Sequence, residues 1–135
     1  MLLVTPIVAS LLTMFYVRLT FNVIGLRRSL KVSLGDGGHE VLERAIRAHG
    51  NFAEYVPLAL ILLACLEFNR APSAAVWPLG LLLLAGRVIH AVGVNAPVKG
   101  AASSNRVRGM VVTVLTLIGL VVANLSWLVY HQFVL

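Results

Sequence analysis

The chain has 135 residues, the length of one ordinary domain, of which 59 % are hydrophobic and only 12 % charged. A soluble domain is about 45–50 % apolar with roughly a quarter of its residues charged, so a water-soluble globule, a disordered chain and a polar nucleic-acid-binding domain are all excluded. The net charge of +6 therefore needs another explanation, and the single cysteine, Cys65, rules out an intrachain disulfide framework and any multi-cysteine metal site.

What remains is an all-α integral membrane protein. A helix crosses the hydrocarbon with about 20 residues. The first predicted span, about residues 2–25, contains one charge, Arg18. It has no Lys or Arg before Arg18 and no small-x-small cleavage site, so it reads as a retained span and not as a signal peptide. Leu34 to Gly38 is a turn-rich break in the first connection. Glu40 with Arg44 and Glu43 with Arg47 then stand at i,i+4 in the favourable order, so the second helix starts before the membrane does. The second span, about 45–68, brings Glu54 into the bilayer, and Pro57 invites a kink beyond it. The third, about 73–95, carries Arg87 and His90, with Pro72 and Pro78 near its start. The fourth, about 107–131, follows Arg106 and Arg108. The four spans form a single four-transmembrane-helix bundle, residues 1–135, with short connections.

The basic residues set the expected orientation. Arg27, Arg28, Lys31, Arg44 and Arg47 belong to the first connection and Lys99, Arg106 and Arg108 to the third, against Arg70 alone in the second. Cytoplasmic loops attract Lys and Arg, so loops one and three face the cytoplasm and both termini the opposite side. That accounts for the positive charge without nucleic acid.

Ionisable residues within a bilayer are functional candidates by default. At about 1.5 Å per residue, Arg18 and Arg87 lie roughly 21–24 Å from the outer edge and Glu54 about 10 Å from the cytoplasmic rim. All three fall in one leaflet. On span two, Arg47, Asn51 and Glu54 form a ladder of cation, amide and anion within a sector of about 100°, with Tyr55 at its edge. Either Glu54 pairs with Arg87 or Arg18 and fixes the register of the bundle, or the surplus of arginines is balanced by a small anionic ligand. His90 reads as a general acid or as a hydrogen-bonded partner of Glu54. Cys65 reads as a small packing residue. His39 lacks a second histidine at metal-ligand spacing, and no metal site is expected. Trp77, Trp127 and Tyr130 sit where an aromatic belt belongs.

The string Arg47-Ala48-His49-Gly50-Asn51-Phe52-Ala53-Glu54-Tyr55-Val56-Pro57 resembles the second-helix signature of the MAPEG superfamily, the membrane-associated proteins of eicosanoid and glutathione metabolism. The four spans, the Arg27-Arg28 pair and the basic third loop extend the resemblance over nearly the whole chain. The Gly35-Asp36-Gly37-Gly38 turn and the string Gly86 to His90 look like the bacterial branch. The resemblance implies a homotrimer in the bacterial inner membrane, with a glutathione site between subunits open to the cytoplasmic leaflet. It implies that Arg27, Arg28, Arg47, His49, Asn51, Glu54 and Tyr55 contact glutathione, with Arg87 and His90 beside them; His49, on the face opposite the Arg47 ladder, reads equally as a subunit contact. The arginine that activates the thiol matches Arg106, with Arg108 as its rival. Two tyrosines of leukotriene-type relatives stand here as His90 and Val94, so the lipophilic co-substrate is not carried over.

The chemistry is consistent with those residue types. Arginines bind the two carboxylates of glutathione in bidentate fashion. Glu54 would take the ammonium, and Asn51 can donate and accept. A fixed cation lowers the thiol pKa from about 8.5. The expected activity is that of a microsomal-type glutathione transferase or peroxidase, acting on a small lipophilic electrophile or lipid hydroperoxide delivered by the membrane lipid. The alternative is a non-catalytic lipid-binding or scaffold member of the same superfamily.

Overall fold

A computed structural model of the protein describes residues 2–96 and 101–133, with side chains from 104 onward in the second stretch. Lys99, counted above among the bases of the third connection, lies outside the described residues. Four helices follow in order: α1 (Val4–Leu30), α2 (Glu40–Phe68), α3 (Ser73–Asn95) and α4 (Ala101–Phe133). All four are long and apolar enough to cross a membrane.

Each helix buries one stripe. On α2 the buried positions are Leu42, Ala45, Ala48, Phe52, Val56, Ala59, Leu63 and Leu66, the three- and four-residue spacing of a single helical face. On α4 they are Gly109, Thr113, Thr116 and Leu120. The remaining faces carry exposed Ile7, Met14, Phe21, Ile61, Leu115 and Leu125 among others. So much outward apolar surface suits lipid and not water. Cys65 belongs to that outer surface, which corrects the expectation that it packs inside: on α2 it stands one residue before the buried Leu66 and two after the buried Leu63, turned about 100° from the first and about 200° from the second.

Helix α3 and the end of α2 match the spans read from hydropathy, whereas α1 runs on to Leu30 and α2 starts at Glu40, both meeting the first connection. At the end of α1, Lys31 takes a left-handed φ of 56°, and its N–H with that of Val32 closes onto the carbonyls of Arg28 and Arg27. Gly35, Gly37 and Gly38 then turn the chain with positive φ, and Asp36 Oδ1 accepts from the Gly38 N–H at 3.1 Å. Helix α2 runs through Pro57 without interruption. The tight 69–72 turn sets α2 and α3 antiparallel. At about 1.5 Å per residue, the first turn and a half of α2 therefore projects beyond the end of α3.

Helices α3 and α4 approach most closely, because glycines let their backbones touch. A Cβ on Gly109 would overlap the backbone of His90, and one on Gly93 the backbone of Arg106. One on Gly86 would stand 2.8 Å from Thr113 Oγ1. Small residues at such crossings are the usual device for packing helices in lipid, where no hydrophobic force drives them together.

Candidate functional site

A cavity of about 430 Å³ opens at the end of the bundle that carries the 31–39 connection. Helix α2 contributes Glu40, Glu43, Arg44, Arg47 and Asn51; α3 contributes His90, Gly93 and Val94; α4 contributes Arg106 and Met110. Four residues singled out from sequence, Arg47, Asn51, His90 and Arg106, thus come together from three helices. Arg108 is exposed and outside this lining, which separates it from its rival Arg106.

The lining carries both signs of charge. Glu40 is tied to Arg44 in the one ion pair among the described residues. The other expected i,i+4 pair, Glu43 with Arg47, does not close; both side chains stay exposed on the cavity rim. Water and ligand compete well with a surface pair of that kind, which gains at most about 1 kcal/mol.

Behind the lining sits Arg87, 1 % exposed. Its Nε donates to Thr113 Oγ1 at 2.8 Å and its Nη1 to Asn51 Oδ1 at 2.8 Å. The Tyr55 ring lies under the guanidinium, 5.2 Å from Cζ to centroid, a cation–π arrangement. Nη2 is buried and without a partner. The sequence left open a pairing of Arg87 with Glu54, and the structure corrects it. Glu54 is exposed on the outer side of α2, and the guanidinium is engaged by an amide, a hydroxyl and an aromatic face.

His90 also has a partner other than Glu54. The glycine contact at Gly109 brings α4 close enough for His90 Nδ1–H to donate to the Arg106 carbonyl at 2.8 Å. The opposite ring nitrogen, Nε2, is thereby left as the acceptor.

The other expected residues lie elsewhere. Arg27 Nη1 donates to the carbonyls of Ser33 and Gly35 at 3.1 and 3.0 Å, holding the first connection, and Arg28 beside it is exposed. His49 faces α1, stacked on Tyr16 with ring centroids 4.6 Å apart and Nε2 3.1 Å from Thr20 Oγ1. Arg18 lines a separate groove between α1 and α3 with Asn22 and Asn95. The single polar layer inferred from depth is therefore divided among a buried cation, a cavity lining and two outward faces. No cluster of three metal-ligating side chains occurs among the described residues.

One residue escaped the sequence reading. Glu67, at the far end of α2, accepts from the Leu3, Val4 and Thr5 N–H groups, the latter two at 2.7 Å. These are the unsatisfied first amides of α1, which has no side-chain cap of its own. A lone acid beside an uncapped, positively polarised helix start was the available signal.

The sequence profile of the MAPEG family matches residues 4–126. The chain is also 40 % identical over 91 residues to Inner membrane protein YecN of Escherichia coli (strain K12). That stretch covers 67 % of this chain and 70 % of the relative, and YecN of a second Escherichia coli strain matches equally. Those matches agree with the bacterial branch indicated by the turn and third-helix strings. The protein is a four-helix membrane protein of the MAPEG family.

Proposed function

We propose that the protein binds glutathione in the cavity between α2, α3 and α4 and works as a microsomal-type glutathione transferase or peroxidase. The observation that carries this reading is the cavity lining, where two cations (Arg47, Arg106) and a carboxylate (Glu43), none ion-paired among the described residues, surround one volume with an amide (Asn51). Glutathione presents two carboxylates, an ammonium and a thiol. Arg47 and Asn51 suit a carboxylate, Glu43 suits the ammonium, and Arg106 supplies the fixed positive charge that favours thiolate. The thiolate sulfur then bonds to carbon of a lipophilic electrophile and displaces its leaving group, as chloride from an activated aryl chloride; with a lipid hydroperoxide, two glutathiones are oxidised to the disulfide while the O–O bond is cleaved to the alcohol and water. The apolar partner arrives from the bilayer through the exposed hydrophobic faces.

The family resemblance adds a homotrimer. Glu54 and Arg18 stand on outward faces without an ion-pair partner among the described residues. An ionised group left against lipid costs several kcal/mol, and a neighbouring subunit or ligand would remove that cost. The bias of Lys and Arg assigns the cavity end to the cytoplasm, and the name of the Escherichia coli relative supports an inner-membrane location.

The test is a thermal-shift titration in detergent, paired with turnover of an activated aryl chloride. Stabilisation by glutathione together with glutathione-dependent turnover supports the reading. Turnover no faster than with heat-killed protein sinks the catalytic part. Val94, apolar where tyrosine-bearing relatives offer a phenol, favours the second reading, a non-catalytic lipid binder. That protein would be stabilised by lipid and unmoved by glutathione.

A further inference from the structure

The hydrogen-bond chain behind the cavity has only one self-consistent direction. Thr113 Oγ1 donates its single proton to the Gly109 carbonyl at 2.8 Å, so it can only accept from Arg87 Nε. Arg87 has donors alone, so its contact with Asn51 at 2.8 Å must end on the amide oxygen. The orientation of an asparagine amide, usually an assignment, is here dictated by chemistry. Asn51 Nδ2 is consequently turned away from Arg87. Among the described residues it has no hydrogen-bond partner and it is not fully buried, while Asn51 itself lines the cavity.

We propose that Arg87 is a positioning residue that locks Asn51 as a pure donor, so that this wall of the cavity selects a ligand carboxylate. The free asparagine could present either its oxygen or its nitrogen to a ligand; the locked one presents only N–H. Beside it stands the Arg47 guanidinium, and the buried Arg87 charge polarises the amide in the same sense through the shared hydrogen bond. The arrangement is costly to the fold. An arginine 1 % exposed, with Nη2 unpaired and no carboxylate within ion-pair distance among the described residues, is weak as a stabilising device. A bundle needing only packing at this point would be served better by an apolar residue. The inference rests on the glutathione reading for the identity of the carboxylate, and on the structure alone for the direction of the amide.

The experiment compares glutathione with its diester, in which both carboxylates are blocked, by calorimetric titration of the detergent-solubilised full chain. Wild type should prefer glutathione. Asn51→Asp, which offers oxygen where the ligand needs N–H, should weaken glutathione about tenfold or more while changing the diester less than about twofold. Arg87→Gln, able to accept as well as donate, should lose the preference, and Arg87→Lys, a donor only, should keep it. Unaltered discrimination in Asn51→Asp or Arg87→Gln overturns the proposal. A second measurement without ligand separates it from the glutathione reading. Asn51→Asp should melt higher than Asn51→Leu, and the gain should vanish in an Arg87→Gln background, because the new carboxylate meets Arg87. If wild type binds neither peptide but this coupling is present, the glutathione reading and its carboxylate fall while the amide direction stands. If the coupling is absent, the proposal falls whatever binds.

Discussion

Glu67 and Arg87 are both ionisable residues in a bundle made almost wholly of apolar helices, and they are treated in opposite ways. Glu67, at the end that carries the 69–72 turn, receives three backbone N–H groups and completes the start of α1. Each partner gains: the carboxylate is solvated by amides, and the helix loses three orphan donors. Arg87, toward the opposite end, is more deeply buried, yet among the described residues one of its nitrogens has no partner and no anion pairs with it. A satisfied charge marks architecture. An under-satisfied one, backing onto a cavity whose Arg47, Arg106 and Glu43 have no ion-pair partner among the described residues, is where we propose that a ligand sits.

Substitutions at the two ends should therefore separate. The largest effect is expected for Arg106→Ala, which removes the cation nearest the proposed thiolate. Glutathione-dependent turnover should fall about 10²–10³-fold, with affinity changed much less, as a comparison of kcat with the dissociation constant would reveal. Gly109→Val should follow, because a branched side chain must push α4 off the His90 backbone. Overpacking costs about 1–3 kcal/mol or more, and this variant should lose both melting temperature and ligand binding, since the His90–Arg106 contact goes with it. Glu67→Gln keeps the shape but gives up the charge on three amides. It should lower stability by about 1–2 kcal/mol and leave the glutathione affinity at the other end untouched. An effect of Glu67→Gln on affinity would break the contrast. Smallest is Glu40→Gln, whose exposed pair with Arg44 contributes no more than about 0.2–1 kcal/mol and less at high salt.

The helices were legible in the sequence because hydropathy and length decide them in lipid. Much of the cavity was legible too, since Arg47 and Asn51 share a face of α2, and His90 near the end of α3 and Arg106 near the start of α4 fall at the same end of the bundle. The partners of those residues were not. A helical wheel states which neighbours share a face on one helix, but not which helix lies opposite, and here that is set by Gly86, Gly93 and Gly109. Their close contact delivers the Arg106 carbonyl to His90 and Thr113 to Arg87, so neither polar group turns to Glu54. His49 belongs to the motif yet lies on the face of α2 opposite Arg47; that face meets Tyr16 and Thr20 of α1, a neighbour the wheel alone does not name. Rise per residue located Arg18, Glu54 and Arg87 at comparable depth but could not tell an inward face from an outward one.

The most direct test is a calorimetric titration of glutathione into the detergent-solubilised protein and into Arg47→Ala, which trims the cavity wall while sparing every buried contact described above. Saturable heat in the native chain and its loss in the variant is the outcome expected of a ligand seated against α2. Equal binding by both would move the ligand elsewhere, and no heat from either at millimolar peptide would contradict a glutathione site altogether.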